Sequence, residues 1–207
     1  MRQQAGEFGV ECADATVARI EPQGHEFLVE IEDGEPVQAR AILLATGVHN
    51  IPPAMDQTHH DEALRRGLLR YCPICDGYEV TDQRVGVIGT GDHGMREALF
   101  LRGFTKRVTL IAPGAAHDLD DDCRAQLDKA GIEHLDGPCT PIEIVDNELS
   151  VTTASGERRF VSVYPALGSH IRSELAVAAG AASSKDGCLE VDDHQQTSVP
   201  GLFAAGD

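Results

Sequence analysis

The chain lacks long apolar runs and carries only half as many basic residues as acidic ones. Its best apolar run, Ala41–Ala45, has the length of a strand, whereas a helix that crosses a bilayer needs about 20 apolar residues. Lysine and arginine number 17 against 34 aspartates and glutamates, so the formal net charge is −17 at pH 7. Because an acidic surface repels phosphate backbones and anionic lipids, we expect no nucleic acid and no membrane as partner.

Cysteine is too scarce for a disulfide scaffold. The chain has six cysteines in 207 residues, and apart from one close pair they are scattered, at positions 12, 123, 139 and 188. This usage suits a reducing compartment with one functional pair. Residues 1–4 also lack the apolar core of a secretory signal, so we expect a cytoplasmic protein. Hydrophobic residues make up 42% of the chain, which excludes a disordered protein.

The close cysteine pair is the most informative feature that is present. Residues 71–77 read Tyr-Cys-Pro-Ile-Cys-Asp-Gly, and this spacing lets Cys72 and Cys75 form a disulfide reversibly. In a redox role, Cys75 faces an electron donor, Cys72 attacks an external disulfide, and Asp76 carries a proton to the leaving thiolate. Half a zinc site and inert buried thiols are the alternatives. Structural zinc needs a second close Cys pair or a spaced His pair, and neither is present, so we expect no metal.

A glycine-rich turn follows the cysteine motif and indicates a nucleotide. Val85–Ile88 has the pattern of a strand, residues 89–94 match G-x-G-x-x-G, and helical spacing follows from Met95. Such a turn approaches a pyrophosphate closely, and the first N–H groups of the helix bind its charge. We therefore expect a dinucleotide at Gly89, Thr90, Gly91, Asp92, His93 and Gly94. A structural turn is the alternative, and His93 either touches a phosphate or is exposed on the first helical turn.

The residues after the second strand do not favour NADP. This strand, Val108–Ile111, ends in Ala112-Pro113-Gly114. It therefore offers neither an acid for the ribose of NAD nor arginines for the extra phosphate of NADP. Aspartates follow at positions 118 and 120–122, and they would repel that phosphate at close range.

The rest of the chain has alternating and helical patterns of the α/β class. Residues 13–47 predict an antiparallel meander, with a turn at Asp33-Gly34 and a final strand, Ala41–Ala45, that is buried on both faces. The pair Pro52-Pro53 breaks the chain, and we expect a linker from there to Leu69. Further expected elements are a β-α-β unit from residue 84, a helix from Leu119 to Gly131, and strands at 189–191 and 201–207.

Four segments together resemble the low-molecular-weight thioredoxin reductases, which are FAD-containing pyridine-nucleotide disulfide oxidoreductases. The segments are Ala45-Thr46-Gly47, the cysteine motif 72–77, the glycine turn 89–94, and residues 196–207. The resemblance implies an α/β fold of two doubly wound, Rossmann-like domains that bind FAD and NAD(P), with antiparallel β-meanders. Residues 1–69 would form the first part of the FAD-binding domain with a linker, 70–164 the NAD(P)-binding domain with the CxxC, and 165–207 the second part of the FAD-binding domain.

The resemblance also implies roles for individual residues. Cys75 would face the flavin, Cys72 would exchange with the substrate, and Asp76 would donate the proton. The cofactors would be FAD and either NADPH or NADH, the substrate a thioredoxin-like protein or a small disulfide, and the assembly a homodimer. The residues expected to contact FAD are Ala45, Thr46, Gly47, Gly206 and Asp207, the last through the ribityl chain.

Several departures from the family pattern leave other functions open. The family's first glycine turn, for the FAD pyrophosphate, and its last helix, over the flavin, are not found, so we expect a chain truncated at both ends. The basic NADP motif is replaced by Ala112-Pro113-Gly114, and Pro73 resembles the dithiol oxidases of the gliotoxin type, although these carry His where Asp76 stands. The alternatives to a reductase are thus an oxygen-dependent dithiol oxidase and a non-catalytic nucleotide-binding remnant. His49 either approaches the flavin or lies on a surface loop.

Overall fold

The structure is a computed structural model that describes residues 2–206. The chain forms two compact units, residues 50–169 and the described parts of 1–49 and 170–207. The helices and strands are, in chain order, α1 (Arg2–Glu7), β1 (Val17–Gln23), β2 (Glu26–Ile31), β3 (Val37–Ala39), β4 (Ile42–Leu44), β5 (Val48–Asn50), α2 (Gln57–Arg65), α3 (Pro73–Asp76), a 3₁₀ helix (Gly77–Val80), β6 (Arg84–Gly89), α4 (Gly91–Leu101), β7 (Arg107–Ile111), α5 (Asp121–Ala130), β8 (Glu133–Leu135), β9 (Ile142–Val145), β10 (Glu148–Thr153), β11 (Gly156–Phe160), β12 (Ser162–Ala166), β13 (Ser169–Ile171), α6 (Glu174–Ala178) and β14 (Leu202–Ala204).

A four-stranded parallel sheet, in the order β12-β6-β7-β8, is the centre of the unit 50–169. Successive side chains of a strand point to opposite faces, so β6 and β7 present apolar residues to both. Val87 and Leu110 belong to a core with α4 and α5. Ile88 and Ile111 belong to a second core with the antiparallel sheet β11-β10-β9. Both faces are therefore covered, as a parallel sheet requires.

The segment 51–69 is not the linker that its prolines suggest. It contains α2, where the Asp56 side chain accepts a hydrogen bond of 3.0 Å from the backbone N–H of His59 at the start of the helix. Ala63, Leu68 and Leu69 are at most 2% exposed and pack in the second core of the unit 50–169. The linker prediction was wrong because the proline pair is followed by a helix with a buried face at Ala63 and then by two buried leucines, Leu68 and Leu69.

The compact units change at residues 49/50 and 169/170, whereas the domain prediction changes at 69/70 and 164/165. The difference arises because residues 50–69 pack with the parallel sheet. Assignment of one part of the chain to FAD and the other to NAD(P) remains a prediction.

The other unit contains the expected meander and a short parallel pair. Strands β1, β2 and β3 form an antiparallel sheet, and β4 pairs with β14 in parallel. The span 37–45 thus divides into two strands with different partners. Leu44 is 9% exposed but Leu43 is 63% exposed. The prediction that this strand is buried on both faces was therefore wrong, because nothing in the described part of the chain covers Leu43.

Two further predictions concern one helix and one strand. Helix α5 begins two residues after Leu119, with Asp120 as its N-cap, and ends at Gly131 with φ +67°, close to the predicted span. The predicted strand at 189–191 was wrong, because its residues make only isolated bridges, Leu189 to Ser183 and Val191 to Thr197. No helix among residues 2–206 is long and apolar enough to cross a membrane.

Candidate active site

The cysteine pair forms a disulfide on a short helix. Cys72 and Cys75 are bonded, with 5.3 Å between their Cα atoms. Helix α3 begins after Cys72 with Pro73, which suits a first helical position because no N–H is needed there. The backbone N–H groups of Cys75 and Asp76 donate to the Cys72 carbonyl over 2.9 and 3.2 Å. Sequence and backbone hydrogen bonds thus hold the two sulfurs within bonding distance.

Asp76 is held by two donors from different elements. The Tyr164 hydroxyl donates to Oδ1 over 2.8 Å, and the Arg70 guanidinium lies 3.1 Å from Oδ2. Arg70 also lies 2.7 Å from a carboxylate oxygen of Glu79. Burial raises the pKa of Tyr164, as does the hydrogen bond to Asp76, so the hydroxyl keeps its proton. Burial lowers the pKa of Arg70, but hydrogen bonds to Glu79 and Asp76 outweigh it and raise the value.

A cleft of ≈ 510 Å³ opens beside this arrangement. Cys72, Asp76 and Tyr71 line it, together with Arg70 and Glu79. Cys75 is exposed but does not line the cleft. Of the two cysteines, Cys72 therefore faces the space in which an external disulfide could approach, with the Asp76 carboxyl in the same wall.

Arg70, Glu79 and Tyr164 were not identified from the sequence. Arg70 stands two residues before the first cysteine and Glu79 three residues after Asp76, but no motif marks either. Tyr164 belongs to a fully buried strand and could be taken for a core residue. Only the folded structure shows that its hydroxyl reaches the Asp76 carboxyl.

The glycine turn is shaped by close contact between β6 and α4. A Cβ added at Gly94 would lie 2.8 Å from the carbonyl carbon of Gly89, and one added at Gly89 would lie 2.9 Å from the Ala166 Cβ. Gly91 has φ +61°, which favours glycine. Thr90 precedes the helix in extended conformation. The first N–H groups of α4 lack partners within the helix, so the turn fits a pyrophosphate.

The side chains of this turn are already partly engaged. The Thr90 hydroxyl accepts a hydrogen bond of 2.6 Å from the backbone N–H of Asp118. Asp92 pairs with Arg96 over 3.0 Å, and the side chain of His93 is 65% exposed. The loop after β7 contains no cation at residues 112–114 and brings the backbone of Asp118 against the turn. These residues do not fit an additional 2′-phosphate.

The residues expected at the flavin form one side of a small pocket in the other unit. Thr46, Gly47, Ala205 and Gly206 line a pocket of ≈ 160 Å³. The Thr46 hydroxyl donates to the Arg172 carbonyl over 2.6 Å. Pockets that enclose a whole ligand measure about 300–1,000 Å³, so these residues fit one border of a flavin and do not enclose it.

Other predicted residues lie apart from this pocket. Ala45 and His49 are exposed and do not line it. Asp207 lies outside the described residues. Within residues 2–206, no three His, Cys, Asp or Glu side chains come together as metal ligands.

Glu97 on α4 is a largely buried carboxyl that no sequence motif marks. Its side chain is 11% exposed, and its Oε2 lies 3.9 Å from Nε2 of His93. Among the described residues, its Oε1 has no hydrogen-bond partner. Burial raises the pKa of Glu97 to about 7. Its spacing of three and four residues from the buried Gly94 and Leu101 was a usable signal that it lies on the inner face of the helix.

Comparison with known proteins identifies the family. The model of the family described as pyridine nucleotide-disulphide oxidoreductase matches residues 3–207. The chain belongs to this family. The predicted resemblance is thereby confirmed, as is the α/β, Rossmann-like fold class. FAD and a pyridine nucleotide are the cofactors of this oxidoreductase family, as predicted.

The similar proteins include thioredoxin reductases and a solved structure of similar fold. The thioredoxin reductase of Aquifex aeolicus (strain VF5) is 28% identical over 219 residues, covering 100% of this chain and 66% of that protein. The thioredoxin reductase of Mycolicibacterium smegmatis is 32% identical over 224 residues, covering 100% of this chain and 68% of its own length. The crystal structure of HlmI has a TM-score of 0.86 and 29% identity, covering 99% of this chain and 65% of HlmI. The chain thus spans about two thirds of the length of these proteins.

The raised pKa of Glu97 predicts a pH-dependent stability. Because its folded pKa is about 7 against an ordinary 4.5, the folded state binds the proton more tightly than the unfolded state. The free energy of unfolding should therefore fall as the pH rises from about 4.5 through about 7, by at most about 3 kcal/mol. Glu97→Gln should remove this dependence, as measured by urea denaturation between about pH 5 and about pH 8.

The matched control for this experiment is Glu143→Gln, which changes an exposed glutamate on β9. This variant should keep the pH dependence of the parent chain. An unchanged slope in Glu97→Gln would contradict the assignment to Glu97.

Proposed function

We propose that the chain is the catalytic part of a thioredoxin reductase-like flavin disulfide oxidoreductase. Electrons pass from NAD(P)H through FAD to Cys72 and Cys75, and then to a thioredoxin-like protein or a small disulfide. The observation that carries this proposal is the bonded pair Cys72–Cys75 beside a cleft that Cys72 and Asp76 share. A purely structural disulfide does not require a carboxyl held by two donors at the same opening.

The different surroundings of the two cysteines support a division of labour. With the pair reduced, the Cys72 thiolate attacks one sulfur of an external disulfide in the cleft, and the external S–S bond breaks. The leaving thiolate takes a proton from the protonated Asp76 carboxyl, and the resulting carboxylate then takes the proton of the Cys75 thiol. Cys75 then attacks the Cys72 sulfur and releases the second thiolate, so the Cys72–Cys75 disulfide forms again. Two electrons have moved from the cysteine pair to the substrate.

The network around Asp76 supports its role as the proton carrier. The Tyr164 hydroxyl and Arg70 orient the carboxyl from two sides. Because Tyr164 is fully buried, it holds this position while the substrate enters. Glu79 lies 2.7 Å from Nη1 of Arg70, the same nitrogen that contacts Asp76, and so helps to hold the guanidinium at the Asp76 carboxyl.

Each of the two cofactors has its own set of glycine-containing residues. Thr46, Gly47 and Gly206 would contact FAD, which when bound supplies two-electron exchange with the cysteine pair. The turn Gly89–Gly94 would bind the pyrophosphate of the nicotinamide nucleotide through its backbone N–H groups. The FAD-binding domain (1–69 with 165–207), the NAD(P)-binding domain (70–164) and the homodimer remain predictions of the family resemblance. The cytoplasmic location remains a prediction from the cysteine usage and the first residues.

Replacing each cysteine tests the proposed order of attack. In a Cys12→Ser/Cys188→Ser background, which removes the two exposed free thiols, the reduced chain should release two thiolates from a small aromatic disulfide. Adding Cys75→Ser should stop the reaction at a stable mixed disulfide on Cys72, visible by mass spectrometry, because no thiol remains to resolve it. Adding Cys72→Ser should slow the first attack at least about tenfold.

The background chain itself is the control for this experiment, since only the exposed thiols differ from the natural chain. Equal rates of first attack in the Cys72→Ser and Cys75→Ser chains would refute the assignment. Thioredoxin in place of the aromatic disulfide tests the protein substrate in the same way.

Asp76→Asn should slow release of the leaving thiolate by about 100-fold, because the amide cannot donate the proton that general acid catalysis requires. Rapid quenching and mass spectrometry measure this step with a small aliphatic disulfide, whose leaving thiolate needs the proton. Asp82→Asn is the matched control, since Asp82 is exposed and has φ 58°, a conformation that asparagine also adopts. If both variants react alike, Asp76 is not the proton donor.

A second candidate function is oxidation of a dithiol with oxygen as the electron acceptor. It is favoured by the contact between Asp118 and Thr90 at 2.6 Å and by the absence of a cation at residues 112–114. Both features weaken the case for a nicotinamide nucleotide that carries an additional 2′-phosphate at the glycine turn.

The electron donor separates the candidates after the chain is reconstituted with FAD. Anaerobic bleaching of the flavin by NADPH or NADH would support the reductase. Oxygen uptake driven by a small dithiol, without such bleaching, would support the oxidase. A chain that regains no flavin would exclude both for the isolated polypeptide and favour a non-catalytic nucleotide-binding remnant.

A further inference from the structure

A second pocket lies at the end of the parallel sheet away from the glycine turn. The turn follows the carboxyl end of β6, whereas this pocket contains Arg84 and Arg107, the first residues of β6 and β7. We call it the amino-edge pocket. Its volume is ≈ 640 Å³, and five basic residues line it: Arg84, Lys106, Arg107, Arg158 and Arg159. These are five of the 17 basic residues in a chain of net charge −17, so the concentration is local.

Strand register brings two of these cations side by side. Arg84 and Arg107 are direct partners in the β6–β7 pairing, so their backbones lie about 4.8 Å apart. Like charges at adjacent positions of a sheet destabilise it. Glu148, 2.8 Å from Arg84, offsets part of this repulsion, and an anion bound beside Arg107 would offset the rest.

Residues next to these cations on the same strands form one wall of the pocket. Two residues further along the same strands, Gly86 pairs with Thr109. A Cβ at Gly86 would lie 3.0 Å from the ring of Phe160, so the ring packs directly on the sheet. Thr109 and Phe160 line the pocket, which gives it one polar and one apolar wall.

The carboxylates near the pocket do not neutralise all of its cations. Arg84 lies 2.8 Å from Glu148, and Arg159 lies 2.9 Å from Glu157 and 3.1 Å from Asp146. Arg158 is only 3.5 Å from Glu133 at its closest.

Lys106 and Arg107 are both exposed. Within residues 2–206, neither has a carboxylate oxygen within 4.0 Å. At least two positive charges are therefore available to a ligand.

We infer that the amino-edge pocket binds a small anion that carries phosphate groups. Guanidinium groups bind phosphate oxygens through paired hydrogen bonds, and a volume of ≈ 640 Å³ lies within the range of small-molecule pockets, about 300–1,000 Å³. The acidic surface of the rest of the chain disfavours an extended polyanion. The site is separate from the cysteine pair and from the glycine turn, and the inference does not depend on the proposed function.

Calorimetric titration with inorganic pyrophosphate at constant ionic strength tests this inference on the whole chain. Lys106→Gln/Arg107→Gln should weaken binding at least about tenfold, because two charge-assisted contacts are lost. Lys129→Gln is the matched control, since it removes an exposed cation from α5, and it should bind like the parent chain.

Glu133→Gln provides a change in the opposite direction. It removes the carboxylate nearest to Arg158 and should strengthen pyrophosphate binding, which a damaged fold could not do. Binding that is the same in the parent chain, in the Lys106→Gln/Arg107→Gln chain and in Glu133→Gln would assign pyrophosphate to the glycine turn and overturn the inference. Absence of binding to the parent chain would also overturn it.

Adenosine diphosphate in a parallel titration distinguishes the source of the phosphate. If it binds at least about tenfold more tightly than pyrophosphate, and Lys106→Gln/Arg107→Gln weakens both, the pocket takes a nucleotide. Equal affinities with the same loss would indicate an inorganic or simple phosphorylated anion. Either result supports the pocket, and neither depends on thiol chemistry.

Discussion

Burial of the parallel sheet on both faces is the constraint from which the arrangement of the unit 50–169 follows. Strands β6 and β7 present apolar side chains to α4 and α5 on one face and to the antiparallel sheet on the other. Each fully buried Val, Leu or Ile side chain contributes about 1.5–3 kcal/mol relative to exposure. With both faces covered, polar groups that bind ligands are confined to the strand ends, where the glycine turn and the basic pocket occur.

The cysteine loop is connected to this core through polar contacts. Tyr164 is part of the buried face of β12, yet its hydroxyl reaches the Asp76 carboxyl at the end of α3. Arg70 reaches the same carboxyl from the segment before the cysteines. A rigid strand and a short loop thus meet at one carboxyl group, which gives the loop a defined position without burying Cys75.

Sequence patterns predicted the parts of the fold that depend on local chemistry. The strand-turn-helix around Gly89–Gly94 and the end of α5 at Gly131 follow from glycine positions and periodicity, and the structure contains both. Helix α2 was missed because Pro52-Pro53 indicated a break in the chain. The residues that pack against it come from distant strands, so the local sequence does not reveal its burial. Leu43 was misassigned because burial on a second face depends on a covering layer, which the composition of one strand does not reveal.

The candidate site likewise contains residues that a motif predicts and residues that only the fold brings together. Cys72, Cys75 and Asp76 are adjacent in sequence, so their chemistry could be read from a motif. Arg70 and Tyr164 lie 94 residues apart in number and meet because the segment before the cysteines bonds directly to β12, where the Arg70 backbone N–H donates to the Val163 carbonyl over 3.0 Å. The basic pocket was also invisible in the sequence, since a chain with 34 acidic residues hides a local excess of positive charge.

Because the disulfide ring is small, the redox state of the cysteine pair has little effect on the stability of the fold. Cys72 and Cys75 are three positions apart, so the bond closes one of the shortest loops possible. In the chain-entropy account, such a loop stabilises the folded state by about 2 kcal/mol, against about 4.7 kcal/mol for a loop of 100 residues. Neither cysteine belongs to a hydrophobic core. Opening and closing of the bond therefore costs the architecture little, and the same scaffold serves the oxidised and the reduced protein.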